Sequence, residues 1–297
     1  MRRSLNIWLF VIALLSGGIP LSAQDVKPDS AALRRIDFVN YLIGKQEYKD
    51  AAFLLEQESS KLPAGSSVLS DTVFHLLGWS YYSQKELLQS RNAFEKVSPK
   101  SASYLKCRMF SAYNSAFLGD TAHAARILDG LSGQESWEIE LIHFQKAGLN
   151  LLKRDLPAYQ QDVTFFTYRF FPLVAEEQRF GQMADVLRTR KDKSMVLAAL
   201  YSSLLPGSGK VYAGKTGEGV SSFLILTVLG LITWENYHKD GLSDYKTILA
   251  GSAFSLYYVG NIWGSAFAAQ RQNNRFNHEI DQRILFDLHI PLRTLFN

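Results

Sequence analysis

Gly209 to Thr216 reads Gly-Lys-Val-Tyr-Ala-Gly-Lys-Thr, a full match to the Gly-x-x-x-x-Gly-Lys-Thr pattern that cradles phosphate. How this stretch is read decides the fold. A phosphate cradle needs a strand before the loop and a helix after it, so that glycine amides curl round the phosphate and the Thr hydroxyl holds magnesium. The flanks argue against that. Met195 to Leu205 suits a helix as well as a strand, and Gly219 to Trp234 is apolar on every side. The helix of a phosphate loop should carry one polar face. Beyond the loop there is no alternation of strands and helices, and no Asp closes an apolar strand to hold the metal; Glu235 is the nearest imitation. The stretch therefore reads as a turn at a membrane in an all-α chain, with glycines present because they take positive φ at little strain.

Working outward, three intervals carry no charge: Ser194 to Gly209, Gly219 to Trp234 and Thr247 to Gln270, of 16, 16 and 24 residues. A hydrocarbon core of ~30 Å needs about 20 helical residues. The last interval is long enough. The second reaches if Glu218 and Glu235 snorkel, with Trp234 and Tyr237 as an interfacial belt. The first is broken at Pro206-Gly207 and reads as a half-span or an interfacial helix. His238 to Lys246 is a polar turn, so the two later intervals are expected to form a transmembrane helical hairpin within a membrane module at 194–272, followed by a tail at 273–297. Gly260, Gly264 and Ala268 fall four apart, a small-residue stripe that lets helices approach. Asn261 beside it would need a hydrogen-bond partner in lipid. A soluble apolar bundle is the competing account of this third of the chain.

Pro206-Gly207-x-Gly209-x-x-Tyr212-x-Gly214-Lys215 before a helical hairpin resembles a family of small bacterial membrane domains. The resemblance implies a membrane-turn role for Pro206, Gly207, Gly209, Tyr212, Gly214 and Lys215, and no known activity. Lys210 stands where that family often has Gln.

At the other end, Arg2 and Arg3, the apolar run Ile7 to Leu15 and a small residue at Ala23 make a secretory signal over 1–23, cut between Ala23 and Gln24. Cys107 is the only cysteine, so no internal disulfide forms. A net charge of +4 with both signs mixed throughout gives no case for nucleic acid. The basic cluster Arg188 to Lys193 precedes the apolar third, where it can meet lipid headgroups.

Residues 24–190 read as helices with internal repetition. Leu77-Gly78-x-x-Tyr81, then Ser90-x-x-x-Phe94-x-x-Val97 and Pro99 form the best unit. Small residues at Gly78 and Ser90 would let two antiparallel helices cross closely. Second-helix anchors Ala51, Ser90, Ala124 and Tyr159 are 39, 34 and 35 residues apart. This spacing resembles the tetratricopeptide repeat, a helical hairpin of about 34 residues that stacks into a solenoid; Tyr159 is too large for that family's anchor. The resemblance implies a concave groove formed by His75, Trp79 and Tyr82 from one unit and Lys106, Met109, Tyr113 and Phe117 from the next. Such side chains suit an extended peptide, so a protein or peptide partner is expected.

Enzyme templates fail in turn. The 6 histidines are scattered with no His-x-x-x-His pair, so no metal site is expected. No Gly-x-Ser-x-Gly elbow exists. Glu138 with Glu140, and Glu176 with Glu177, read as solvated helix faces. The expectation is a non-enzymatic scaffold without a cofactor: a repeat solenoid in the periplasm, tied to the inner membrane of a bacterial envelope. A nucleotide-dependent membrane enzyme using 209–216, or a purely structural membrane component, is the alternative.

Overall fold

Four helical hairpins lead the chain: α1 (Ser30–Gly44) with α2 (Tyr48–Lys61), α3 (Val68–Ser83) with α4 (Leu87–Phe94), α5 (Tyr104–Phe117) with α6 (Thr121–Asp129), and α7 (Ser136–Leu152) with α8 (Leu156–Val163). They come from a computed structural model that describes residues 30–62 and 67–296; no strand occurs among the described residues. The expected signal segment and its cleavage point lie outside the described residues.

Each hairpin turns by the same device. Gln46, Lys85, Gly119 and Arg154 adopt positive φ, between 61° and 83°. The next amide in each case, from Glu47, Glu86, Asp120 and Asp155, donates back to the carbonyl of Leu42, Tyr81, Ser115 and Asn150 at 2.9 Å. That six-to-one bond closes a helix and reverses the chain. Asp120 and Asp155 then cap the second helix by accepting from the amides of His123 and Ala158. The anchors five residues beyond the left-handed positions, Ala51, Ser90, Ala124 and Tyr159, are all buried.

The central crossing follows from small residues. A Cβ on Gly78 would lie 2.5 Å from the Phe94 ring, so only glycine fits there. The Ser90 hydroxyl donates to the Gly78 carbonyl at 2.8 Å and accepts from Asn114 Nδ2 at 2.9 Å. Both of its hydrogen-bonding roles are thereby satisfied in a buried place, which avoids the penalty of an orphaned polar group.

After α9 (Phe171–Thr189) the chain enters α10 (Met195–Leu204), α11 (Ser208–Tyr212), α12 (Thr216–Asp240) and α13 (Tyr245–Phe296). These four helices form the second part, with a small seam of Ala198, Ala213, Ala268, Ala269 and Tyr212 inside. Its outside is apolar: Val196, Leu204, Leu231, Leu249, Leu256 and Trp263 are between 61% and 78% exposed. A continuous apolar surface of this kind calls for a lipid or protein covering.

Only α12, among the described residues, is long and apolar enough to cross a membrane, and 11% of its apolar window is buried. Its 25 residues span about 37 Å. This corrects the expectation that Thr247 to Gln270 is the better span. Freedom from charge is not apolarity, because Ser252, Ser255, Tyr257, Tyr258 and Asn261 dilute that stretch.

The expected tail is corrected too. Residues 273–296 continue α13, a helix of 52 residues, and return it to the hairpins. Ile280, Ile284, Leu288 and Leu292 recur every fourth residue and are at most 5% exposed. They join one core with Phe94, Phe110, Phe144 and Phe180.

Candidate functional site

Most of the implied groove residues lie on one side of the hairpins, and α13 packs against it. Leu288 packs where Gly148 has no side chain: a Cβ on Gly148 would run into Leu288 and the Phe180 ring. Gln145 Nε2 donates to the Leu288 carbonyl at 2.9 Å. Around this seat, Arg154 pairs with Asp281 at 2.7 Å, and Arg179 bridges Glu176 and the buried Asp287. Burial raises the Asp287 carboxyl above its ordinary range, against the pull of Arg179. At the junction between the two parts, Asn273 grips the Lys193 backbone twice, accepting from its amide and donating to its carbonyl.

The implied groove residues divide into three groups. Trp79, Tyr82, Tyr113 and Phe117 meet around a cavity of 510 Å³, together with His289 and Arg293 from α13. Trp79 stacks on Tyr82 with ring centroids 5.5 Å apart, and the Tyr82 hydroxyl shares a hydrogen bond with His289 Nε2. Phe117 is half exposed at the rim. Lys106 and His75 lie to one side: the Lys106 ammonium sits 4.8 Å over the Trp79 ring. Burial, then the Lys106 charge, hold the His75 imidazole down to about 4, and burial also lowers Lys106. Met109 is 0% exposed and belongs to the core. It faces the hairpin interior and no groove, which corrects the placement that the tetratricopeptide resemblance implied.

Sequence reading missed Tyr48, Lys85, His289 and Arg293 on the cavity wall. A signal for the last two existed. His289 and Arg293 are four apart on one helical face, beside the buried stripe that ends at Leu292.

In the turn, Gly207 and Gly214 both adopt φ 84°. Gly207 is fixed twice over, because a Cβ there would also run into the Gly219 carbonyl; a Cβ on Gly209 would run into that of Ala198. Pro206 follows the end of α10 and is half-buried. The Tyr212 hydroxyl accepts from the Ser194 amide at 3.1 Å. Lys215 pairs with Glu218 at 2.5 Å.

The amides that would circle a phosphate are engaged. Gly209 donates to Ser202 Oγ, Lys210 and Val211 to Gly207, Ala213 to Gly209, Gly214 to Val211, and Lys215 to Lys210. A helical turn occupies the place where the pattern needs an open loop.

The small-residue stripe separates similarly. Ala268 is buried in the alanine seam. Gly264 faces the Lys210 stem, and a Cβ on Gly260 would meet nothing within 4 Å. Gly260 is not a point of helix contact.

Compared with known proteins, the chain is 35% identical over 69 residues to the uncharacterized protein MJ1516 of Methanocaldococcus jannaschii, a stretch covering 22% of this chain and 68% of that protein. The chain belongs to the same family as MJ1516. Their shared stretch is under a quarter of this chain and carries no described activity. No family model matches the chain, and no solved structure matches it.

Proposed function

We propose that this chain is a membrane-anchored envelope scaffold, with a tetratricopeptide-like repeat domain that recognises a protein or peptide and a helical hairpin, α12 with the first half of α13, that spans the membrane. One observation carries the reading: a single helix, α13, has apolar residues exposed along its first half and buried in the repeat domain along its second. Such a helix fixes a recognition domain at a set distance from a bilayer. The secretory pattern over 1–23 supports an inner-membrane anchor with the repeats in the periplasm. Lys215 and the Arg188 to Lys193 cluster would then lie among lipid headgroups. No nucleic acid, metal or cofactor enters this reading.

The partner surface is the part of the groove that α13 leaves open, between Trp79, Phe117 and Arg293. A photo-crosslinking residue at Phe117, in cells, tests it. The scaffold reading expects a discrete covalent adduct with another protein, absent when the same residue replaces Lys191. A purely structural role is favoured by one fact, that His289 and Arg293 of the protein's own helix line the groove wall; it expects no adduct at either position.

A further inference from the structure

A second cavity lies in the apolar part, between α12 and α13, and has a volume of 410 Å³. Its polar end is built by Lys210 and Asn261. Lys210 Nζ donates to Ser222 Oγ at 2.7 Å, and that hydroxyl donates on to the Glu218 carbonyl. Asn261 is 5% exposed, yet neither its amide nitrogen nor its oxygen has a hydrogen-bond partner. A buried amide without partners costs free energy that a ligand would recover. The remaining wall is largely apolar, formed by Ile225, Leu226, Leu256 and the Tyr257 side chain, and Gly260 leaves the space open.

The charges at this end are lopsided. Glu218 is paired with Lys215, whereas Lys210 has no carboxylate partner among the described residues. The Lys210 ammonium is thus left with the Ser222 hydroxyl alone. Ser222 is six residues into α12, about 9 Å along it, so the polar end sits near one mouth of the span and the apolar wall runs inward.

We propose that this cavity binds an anionic glycerophospholipid, one molecule per chain, from the leaflet nearer the repeat domain. The phosphate meets the Lys210 ammonium, the Asn261 amide donates to a phosphate or ester oxygen, and one acyl chain lies along Ile225, Leu226 and Leu256. Free phosphate would satisfy the cation but leave that apolar wall uncovered. The inference rests on the membrane reading above, and the experiment separates the two.

Full-length protein is first floated with dioleoylphosphatidylcholine vesicles, as wild type and as Lys210→Gln and Gly260→Leu. A side chain at 260 enters the cavity and meets no other atom near its Cβ, so that variant keeps the fold. Native mass spectrometry of the same proteins in dodecyl maltoside then compares retention of dioleoylphosphatidylglycerol and dioleoylphosphatidylcholine. The expected result is one retained phosphatidylglycerol, preferred about tenfold. Retention should fall about fivefold in Lys210→Gln and vanish in Gly260→Leu, while all three proteins float alike. Equal retention of the two lipids, retention unchanged in both variants, or displacement by millimolar inorganic phosphate would overturn the lipid site while leaving the membrane reading standing. Failure of the wild type to float would overturn both.

Discussion

His289, near the end of α13, stacks on Tyr113 of the third hairpin, with ring centroids 5.0 Å apart and planes within 16°. Burial first, and then Arg293, hold this imidazole below its ordinary value, so the neutral ring is the one that fits. A depressed histidine stabilises the seat above the unfolded imidazole value, near 6.5, and less so as pH falls below it. Hydrogen-exchange protection at residues 280–296, taken relative to the intrinsic amide rate at each pH, should therefore be high at pH 7.5 and lower at pH 5. His289→Gln should lose that difference; equal protection factors at both pH values in the wild type would contradict the contact.

The opposite sign is expected of Glu177. Its side chain is 0% exposed, and burial, together with Glu140 beside it, raises its carboxyl to about 8. A raised carboxyl binds its proton more tightly when folded, so its stabilising effect is full below the unfolded value and is lost as pH rises through about 8. Melting should fall from pH 6 to pH 9. Glu177→Gln should flatten that slope and raise the melting temperature at pH 9. A variant that melts lower than wild type at pH 9 would show the carboxylate to be stabilising.

Seating of α13 should be visible in stability. Leu288→Ala should cost about 2–5 kcal/mol by opening a cavity. Gly148→Val, which drives a side chain into Leu288, should cost about 1–3 kcal/mol by overpacking. Chemical denaturation of solubilised protein measures both. Residues 24–190 alone should melt lower than the same fragment with a 273–297 peptide added, and no shift on adding peptide would deny that the helix end completes the core.

The turn should not behave as a nucleotide loop. Magnesium-dependent ATP or GTP binding by detergent-solubilised protein is expected to be absent, and Lys215→Ala to change nothing. Gly207→Ala should disrupt the module far more than Gly214→Ala. Both pay about 1–2 kcal/mol for a left-handed alanine, but a Cβ on 207 also meets backbone. Micromolar binding lost in Lys215→Ala would favour the enzyme.

Helical class and hairpin register were legible because small anchors and turns repeat at fixed spacing, even where the left-handed residue is Gln46, Lys85 or Arg154 instead of glycine. The groove was only half legible. The tetratricopeptide resemblance implied Trp79, Tyr82, Tyr113 and Phe117 but also placed Met109 in the groove, because one helical face grades into the next between neighbouring hairpins. What filled the groove was hidden by sequence distance. Residues 273–297 read as a tail, and the helix that carries their stripe of Ile280, Ile284, Leu288 and Leu292 packs against α5, α7 and α9.

The central claim is that one helix joins a membrane module to the repeat core. Cysteines placed by Gly148→Cys and Leu288→Cys, in a Cys107→Ser background with a protease site between Arg190 and Ser194, test it in carbonate-washed membranes. Leu288 packs directly over Gly148, close enough for their Cβ atoms to reach disulfide range, about 3.5–4.5 Å. After oxidation and cleavage, the two halves should stay linked on a non-reducing gel and remain in the membrane pellet. Halves that separate under oxidising conditions, or a protein recovered in the carbonate supernatant, would contradict it.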